Sequence, residues 1–273
     1  LVGEVTPSGK LTDTIAYAIE DYPSTRNYGN ELKNVYQEDI YVGYRFFETF
    51  RPASVQYEFG SGLSYTQFQI EPQEGKLVVR GGAQYVEIDV NVKNIGTTYT
   101  GKEVVQVYYE APQGVLGKPA KVLAAFGKTQ ELAPGNSQPL TISFPVHAMA
   151  SYDDAGVTGQ ASAYVLEAGT YRLYVGTSVK NVEPIGLDGQ EGYVVETLQV
   201  VEQLQEAMAP TEGFTRMKPG IRKEDGSYEL TYAEVPQRKM NMEERIHQNL
   251  PLTLEQTGNR GYTLRDVYEG KVS

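Results

Sequence analysis

The sequence predicts a mainly β protein built around an immunoglobulin-like sandwich of fibronectin type III character, and three observations predict it. Val86, Ile88, Val90 and Val92 alternate with Glu87, Asp89, Asn91 and Lys93, the period of two expected of a strand with one buried face. Turn signals such as Pro134-Gly135-Asn136 and Glu167-Ala168-Gly169 punctuate about seven short apolar runs, the spacing of a sandwich. The chain has neither cysteine nor tryptophan, so the pin of antibody-type domains is missing and the fibronectin-like branch is favoured.

Residues 1–70 are rich in glycine, proline and tyrosine and hold only short apolar pieces, at 14–19, 39–50 and 59–68. In the second piece Tyr41, Tyr44 or Arg45, and Glu48 recur at helical spacing, although its aromatics would also suit a strand. No compact core is visible within these residues, so they read as part of a domain. The third piece, FGSGLSYTQF, reads as a tight joint. Gly60 and Gly62 permit positive φ or close backbone approach, Phe59, Leu63, Tyr65 and Phe68 anchor the two sides, and Ser64 lies between. A phosphate loop is the competing reading of Gly-Ser-Gly. It is disfavoured because no clear strand precedes it, no clear helix follows, and Gly-Lys-Ser/Thr is absent.

Residues 71–202 form the predicted sandwich. After the first strand, Asn94-Ile95-Gly96 supplies a turn and a second strand follows over 103–112. Further strands are expected within 121–130, within 139–146 where Leu140, Ile142 and Phe144 alternate, within 162–169, and within 170–178 where Tyr171, Leu173 and Val175 alternate. Residues 203–273 are more polar. A short helix is expected over 241–250, with Asn241 as cap, Glu244 at the capping-box position and Pro251 at its end. The remainder reads as extended chain with turns, a largely irregular linker over the surface of something else.

Composition narrows the function. The 273 residues are 40% hydrophobic and 22% charged, enough for one or two ordinary cores. Lysine and arginine number 24 against 35 aspartates and glutamates, a net charge of −11 that disfavours nucleic acid as a partner. The lack of cysteine rules out disulfides, thiolate catalysis and cysteine-ligated metals, and His147 and His247 have no metal-ligand spacing to each other. No metal, cofactor or membrane partner is expected, since no apolar run reaches spanning length. The first residues lack a signal-peptide pattern, and the sequence does not reveal a compartment.

Four motifs in order, PSGKL at 7–11, DYP at 21–23, YVGYRFFE at 41–48 and YEFGSGLSYTQF at 57–68, resemble the end of the α/β sandwich domain of family 3 glycoside hydrolases, whose best-known members are β-glucosidases. In that family the Phe-Gly-x-Gly-Leu-Ser-Tyr-Thr segment leads into a fibronectin type III-like domain. VKNIGTTYTGKEVVQVYY at 92–109, LAAFGKTQELAPG at 123–135 and LEAGTYRLYVGTS at 166–178 resemble that domain as well. The resemblance implies that residues 1–70 are an incomplete α/β sandwich domain and residues 71–202 the fibronectin-like domain. It further implies that residues 203–273 lead toward a (β/α)8 barrel absent from this chain, as in members with reversed domain order. The expected chain is an internal piece of such an enzyme.

Family members cleave β-glycosides with retention, using a carboxylate nucleophile on the barrel and a glutamate acid/base usually supplied by the α/β domain, the two about 5 Å apart. The family's acid/base precedes the PSGKL segment, and only residues 1–6 do so here, so no catalytic residue is expected in this chain. Glu38, with Tyr36, Tyr41 and Tyr44 near it in sequence, is the tempting substitute because apolar surroundings raise a carboxyl pKa. The favoured reading pairs it with Arg45 or another nearby base. Tyr28 and Tyr36 lie in a loop that could border the sugar site of the whole enzyme, although among 21 tyrosines most must be packing residues.

The expected function is that of a non-catalytic portion of a retaining β-glycosidase. Its partners would be the remaining domains of the same enzyme and, through them, a β-glycoside. Self-association is expected where strand edges or apolar surface are left uncovered. A stand-alone carbohydrate-binding or adhesive sandwich is the alternative, weakened by the absence of tryptophan and of a visible row of exposed aromatics.

Overall fold

The structure, a computed structural model, describes residues 3–206, 209–210, 212–237 and 264–271. In the first segment β1 (Ile15–Ala16) pairs antiparallel with β2 (Val55–Tyr57), and α1 (Tyr44–Phe50) lies between them in sequence. The helix wins over the strand reading because Phe46, Phe47 and Phe50 fall on one face at helical spacing and are all buried. Gly43, with φ 54°, starts the helix. Pro52 stops it, because the residue before a proline is held away from helical angles.

Residues 68–203 build the sandwich. Its strands are β3 (Phe68–Pro72), β4 (Lys76–Arg80), β5 (Ala83–Asn94), β6 (Val104–Glu110), β7 (Val122–Lys128), β8 (Ser137–Pro145), β9 (Ser151–Asp153), β10 (Ala163–Leu166), β11 (Gly169–Gly176), β12 (Val182–Ile185), β13 (Gly192–Val195) and β14 (Gln199–Gln203). In one sheet β5 pairs with β8 along one edge and with β3 and β4 along the other. In the facing sheet β11 lies between β6 and the pair β12 and β13, with β7 outside β6. A small third sheet runs β14-β10-β9.

The predicted alternation holds. Val86, Ile88, Val90 and Val92 are inaccessible and meet Ile142, Phe144, Tyr171, Leu173 and Val175 in one core. Each such aliphatic side chain contributes about 1.5–3 kcal/mol on burial. Strand β6 breaks the pattern, because Gln106 and Tyr108 on its outer face are as buried as Val105 and Val107 on its inner one.

The connection from β6 to β7 is pinned from inside. The Lys118 ammonium pairs with the Glu167 carboxylate, both buried, and donates to the Pro112 carbonyl at 3.2 Å. Glu167 also accepts the Val115 N–H at 2.9 Å, and the Gln113 amide brackets Lys118 from both sides of its peptide. Burial pushes the Lys118 pKa down, while the Glu167 hydrogen bond and charge oppose that shift.

The expectation for residues 203–273 needs correction in one place. Within the stretch read as irregular, β15 (Thr215–Arg222) and β16 (Tyr228–Glu234) form an antiparallel hairpin closed through Gly226 at φ 83°. Met217 and Tyr228 join Ala16, Tyr41, Phe46, Phe47, Phe50 and Val55 in a second core, with Leu230 packed against it. The first segment looked coreless because part of its core arrives from this hairpin. A short helix α2 (Leu264–Tyr268) follows. The helix expected over 241–250 lies outside the described residues.

Two stability predictions follow from these burials. Lys118→Met leaves the Glu167 carboxylate buried without its partner and should cost about 3–5 kcal/mol in thermal or urea unfolding. Adding Glu167→Leu should recover only part of that loss, since the Val115 N–H is then orphaned. Glu48 on α1 has its pKa raised, chiefly by burial, against the opposing charges of Lys121 and Lys180. A carboxyl raised in the folded state contributes stability below its unfolded pKa and loses it as pH rises through the folded one. Glu48→Gln should therefore raise the melting temperature at pH 7 and leave it nearly unchanged near pH 3.

Candidate functional site: the joint and the 27–39 loop

The joint is built around a glycine that nothing larger could replace. Gly60 sits at φ 81°, its N–H donates to the Leu11 carbonyl at 2.8 Å, and a Cβ there would lie 2.2 Å from Oε1 of Gln106. The Gln106 amide, buried on the outer face of β6, donates to the carbonyls of Gly60 at 3.0 Å and Thr177 at 2.6 Å, and accepts the Tyr108 hydroxyl at 2.5 Å. Burial pushes the Tyr108 phenol far above its ordinary pKa, so it remains a neutral donor. Phe59 stacks on Tyr44 of α1 at 4.4 Å between centroids, and Tyr44 meets the edge of Tyr108. The Phe59 carbonyl accepts the Val179 N–H at 3.1 Å, and the Tyr44 hydroxyl accepts the Leu123 N–H at 2.9 Å.

The rest of the motif is tied differently. At Gly62 a Cβ would fall 2.4 Å from the Gly9 carbonyl oxygen, so this glycine is needed for close backbone approach. Ser64 Oγ accepts the Thr66 N–H at 3.3 Å. The Thr66 hydroxyl donates to Asn94 Oδ1 at 2.6 Å, while the Asn94 amide donates to the carbonyls of Tyr99 and Leu132. Tyr65 is half exposed against Tyr99. Leu63, expected as an anchor, is instead 85% exposed, because the chain turns its side chain away from both cores.

Residues 27–39 form a loop closed at its base by the Asn27 side-chain amide donating to the Val35 carbonyl at 2.5 Å. Asn30 Oδ1 accepts the N–H groups of Leu32 and Lys33. Tyr28 and Tyr36 are about three-quarters exposed, and Leu32 between them is almost wholly so. Glu38 lies buried at the end of the loop, and its Oε2 has no hydrogen-bond partner among the described residues. The expected ion pair with Arg45 is not formed. Burial pushes the Tyr109 pKa up to about 12, and the charge of Arg45 opposes that shift. Tyr28 and Tyr36 thus share one outward-facing loop, whereas Glu38 points inward.

Sequence reasoning missed Gln106, Tyr108 and Asn94, which carry the hydrogen bonds of the joint. Their only signal is that two polar groups interrupt an apolar strand, and a solvent-facing position explains that equally well. Among the described residues no three histidine, aspartate or glutamate side chains converge as metal ligands, and no helix is long and apolar enough to cross a membrane.

Comparison with known proteins agrees with this architecture. The model of the fibronectin type III-like domain matches residues 103–179. A β-glucosidase of Ruminococcus albus is 46% identical over 271 residues, covering 99% of this chain and 27% of that enzyme. The crystal structure of a β-glucosidase from Paenibacillus barengoltzii superposes with a TM-score of 0.90 at 57% identity, covering 99% of this chain and 29% of that one. A Kluyveromyces marxianus β-glucosidase is 35% identical over 183 residues, which is 67% of this chain and 20% of the yeast enzyme. The chain therefore spans less than a third of the length of these relatives. With its fibronectin type III-like domain matched and nearly its whole length aligned to β-glucosidases, the chain corresponds to one segment of the β-glucosidases of glycoside hydrolase family 3.

Proposed function

We propose that this chain is a non-catalytic portion of a retaining β-glycosidase that hydrolyses terminal β-linked glucose or related sugars, and that its role is to position and stabilise the catalytic domains. The observation that carries this reading is the joint itself. A strand buried on both faces, locked to a glycine by one amide, fixes two bodies to within the tolerance that catalysis needs, where a 1 Å misplacement can cost about a hundredfold in rate.

In this reading residues 1–70 belong to an incomplete α/β domain, 71–202 to the fibronectin-like domain and 203–273 to a connector toward a (β/α)8 barrel, in reversed domain order. The Ruminococcus albus enzyme matches 99% of this chain, connector included, whereas the Kluyveromyces marxianus enzyme matches 67% of it. Ile15, Tyr17, Ile19 and Tyr57 are exposed on and around the two-stranded sheet of β1 and β2, a surface suited to cover by the other domains of the enzyme. Tyr28 and Tyr36 would face the sugar.

Hydrolysis of p-nitrophenyl β-D-glucoside separates the alternatives. The purified chain should be inactive and the full-length gene product active, whereas turnover by the chain alone would make Glu38→Gln the next variant to assay. In the full-length enzyme Gly60→Val should cost roughly 3 kcal/mol or more in stability, from positive φ at a β-branched residue and from the clash with Gln106. The ratio of kcat/KM between two glucosides should stay constant in the surviving folded fraction. A changed ratio at unchanged stability would instead put the joint beside the sugar.

A further inference from the structure

In the loop carrying Tyr28 and Tyr36, residues 28–34 are exposed throughout, Val35 is partly covered and Glu38 alone is buried. A stretch with so few buried contacts takes its position largely from its polar attachments. Beyond its internal hydrogen bonds, four attachments come from a short stretch leading into and along β15. Lys33 forms an ion pair with Glu212. The Gln37 amide donates to Thr215 Oγ1 at 3.1 Å, and the Met217 N–H donates to the Gln37 carbonyl at 2.8 Å. Arg216 reaches Asp39 at 3.3 Å.

Arg216 also anchors the stretch to the sandwich. Its guanidinium grips both oxygens of Asp154 at 2.6 and 2.8 Å, the two-pronged geometry that arginine provides and lysine does not. Asp154 is itself held in place, because the fully buried Asp153 carboxylate accepts hydrogen bonds from the backbone of Val157 and Thr158 and from the Thr158 hydroxyl. A continuous polar chain therefore runs from the sandwich through Asp154 and Arg216 to Asp39 and the loop. It depends on residues after the sandwich, in a region whose sequence suggested only a linker.

We propose that Glu212, Thr215 and Arg216 are positioning residues for saccharide recognition in the parent enzyme: they hold loop 27–39 so that the rings of Tyr28 and Tyr36 meet the sugar. The proposal rests on the glycosidase reading above for its ligand, a β-linked glucosyl saccharide. It does not rest on that reading for the tether itself. Tyrosine faces give contact area to a sugar ring only if the ring is already in place, so loosening the loop weakens binding before it touches chemistry.

The test uses the full-length enzyme with Glu212→Gln, Thr215→Val and Arg216→Met, and with Arg216→Lys as the variant that keeps charge but loses the fork. Hydrogen exchange of the peptide spanning 27–39 should accelerate on the order of tenfold in Arg216→Met and less in Arg216→Lys. KM for cellobiose should rise several-fold, on the order of five, with kcat within about twofold. Tyr36→Ala should raise KM similarly, and combining it with Arg216→Met should add little, as expected for coupled residues. Unchanged exchange in all four tether variants would overturn the tether. Faster exchange with unchanged KM would overturn the sugar-facing role and leave Arg216 as a structural residue. A wild-type enzyme inactive on every β-glucoside would sink the glycosidase reading, and the sugar-facing role with it, while the exchange data would still decide the tether.

Discussion

The amide of Gln106 must satisfy three groups at once in a place that water cannot reach. It serves the Gly60 carbonyl, the Thr177 carbonyl and the Tyr108 hydroxyl, all within hydrogen-bond distance. An unpaired buried amide would cost about 1–3 kcal/mol for each group left without a partner. The first segment therefore docks on the sandwich in one register. The missing side chain at Gly60, the stacking of Phe59 on Tyr44 and the burial of both faces of β6 all follow from meeting that requirement.

The second body is held together by chain that comes late in the sequence. Phe46, Phe47 and Phe50 present an apolar helix face that the first segment alone cannot cover, and Met217 and Tyr228 of the hairpin cover it. The same hairpin presents its polar edge to the loop at 27–39 and to Asp154. One hairpin thus completes a core on one side and sets the position of an exposed loop on the other. Its apolar residues supply the binding energy, and its arginine supplies the direction.

Two buried carboxylates sit close to turns. Lys118 with Glu167 fixes the β6–β7 connection, and Asp153 with the backbone of Val157 and Thr158 fixes the β9–β10 connection. In both cases the carboxylate satisfies backbone N–H groups as well as its partner, which is what makes a buried charge tolerable. Neither site has the paired carboxylates of glycoside hydrolysis. The proposed function assigns that chemistry to other domains of the enzyme.

Local periodicity decides a good deal of this protein. Val86 to Val92, Leu140 to Phe144 and Tyr171 to Val175 declare their buried faces because a strand facing one core must alternate, and the two glycines of the joint declare close approach. Tyr228, Leu230 and Tyr232 also alternate along the chain, but Tyr232 ends up exposed and the run is short and isolated, so it passes for linker. The inward turn of Glu38, the exposure of Leu63 and the grip of Arg216 on Asp39 have no local signature at all, and the burial of Gln106 has only an ambiguous one. Each depends on which distant segment lies against the residue. Alternation is a property of one strand and can be read along it, whereas the partner of a polar side chain is fixed only when the folded chain brings two remote stretches together and excludes water between them.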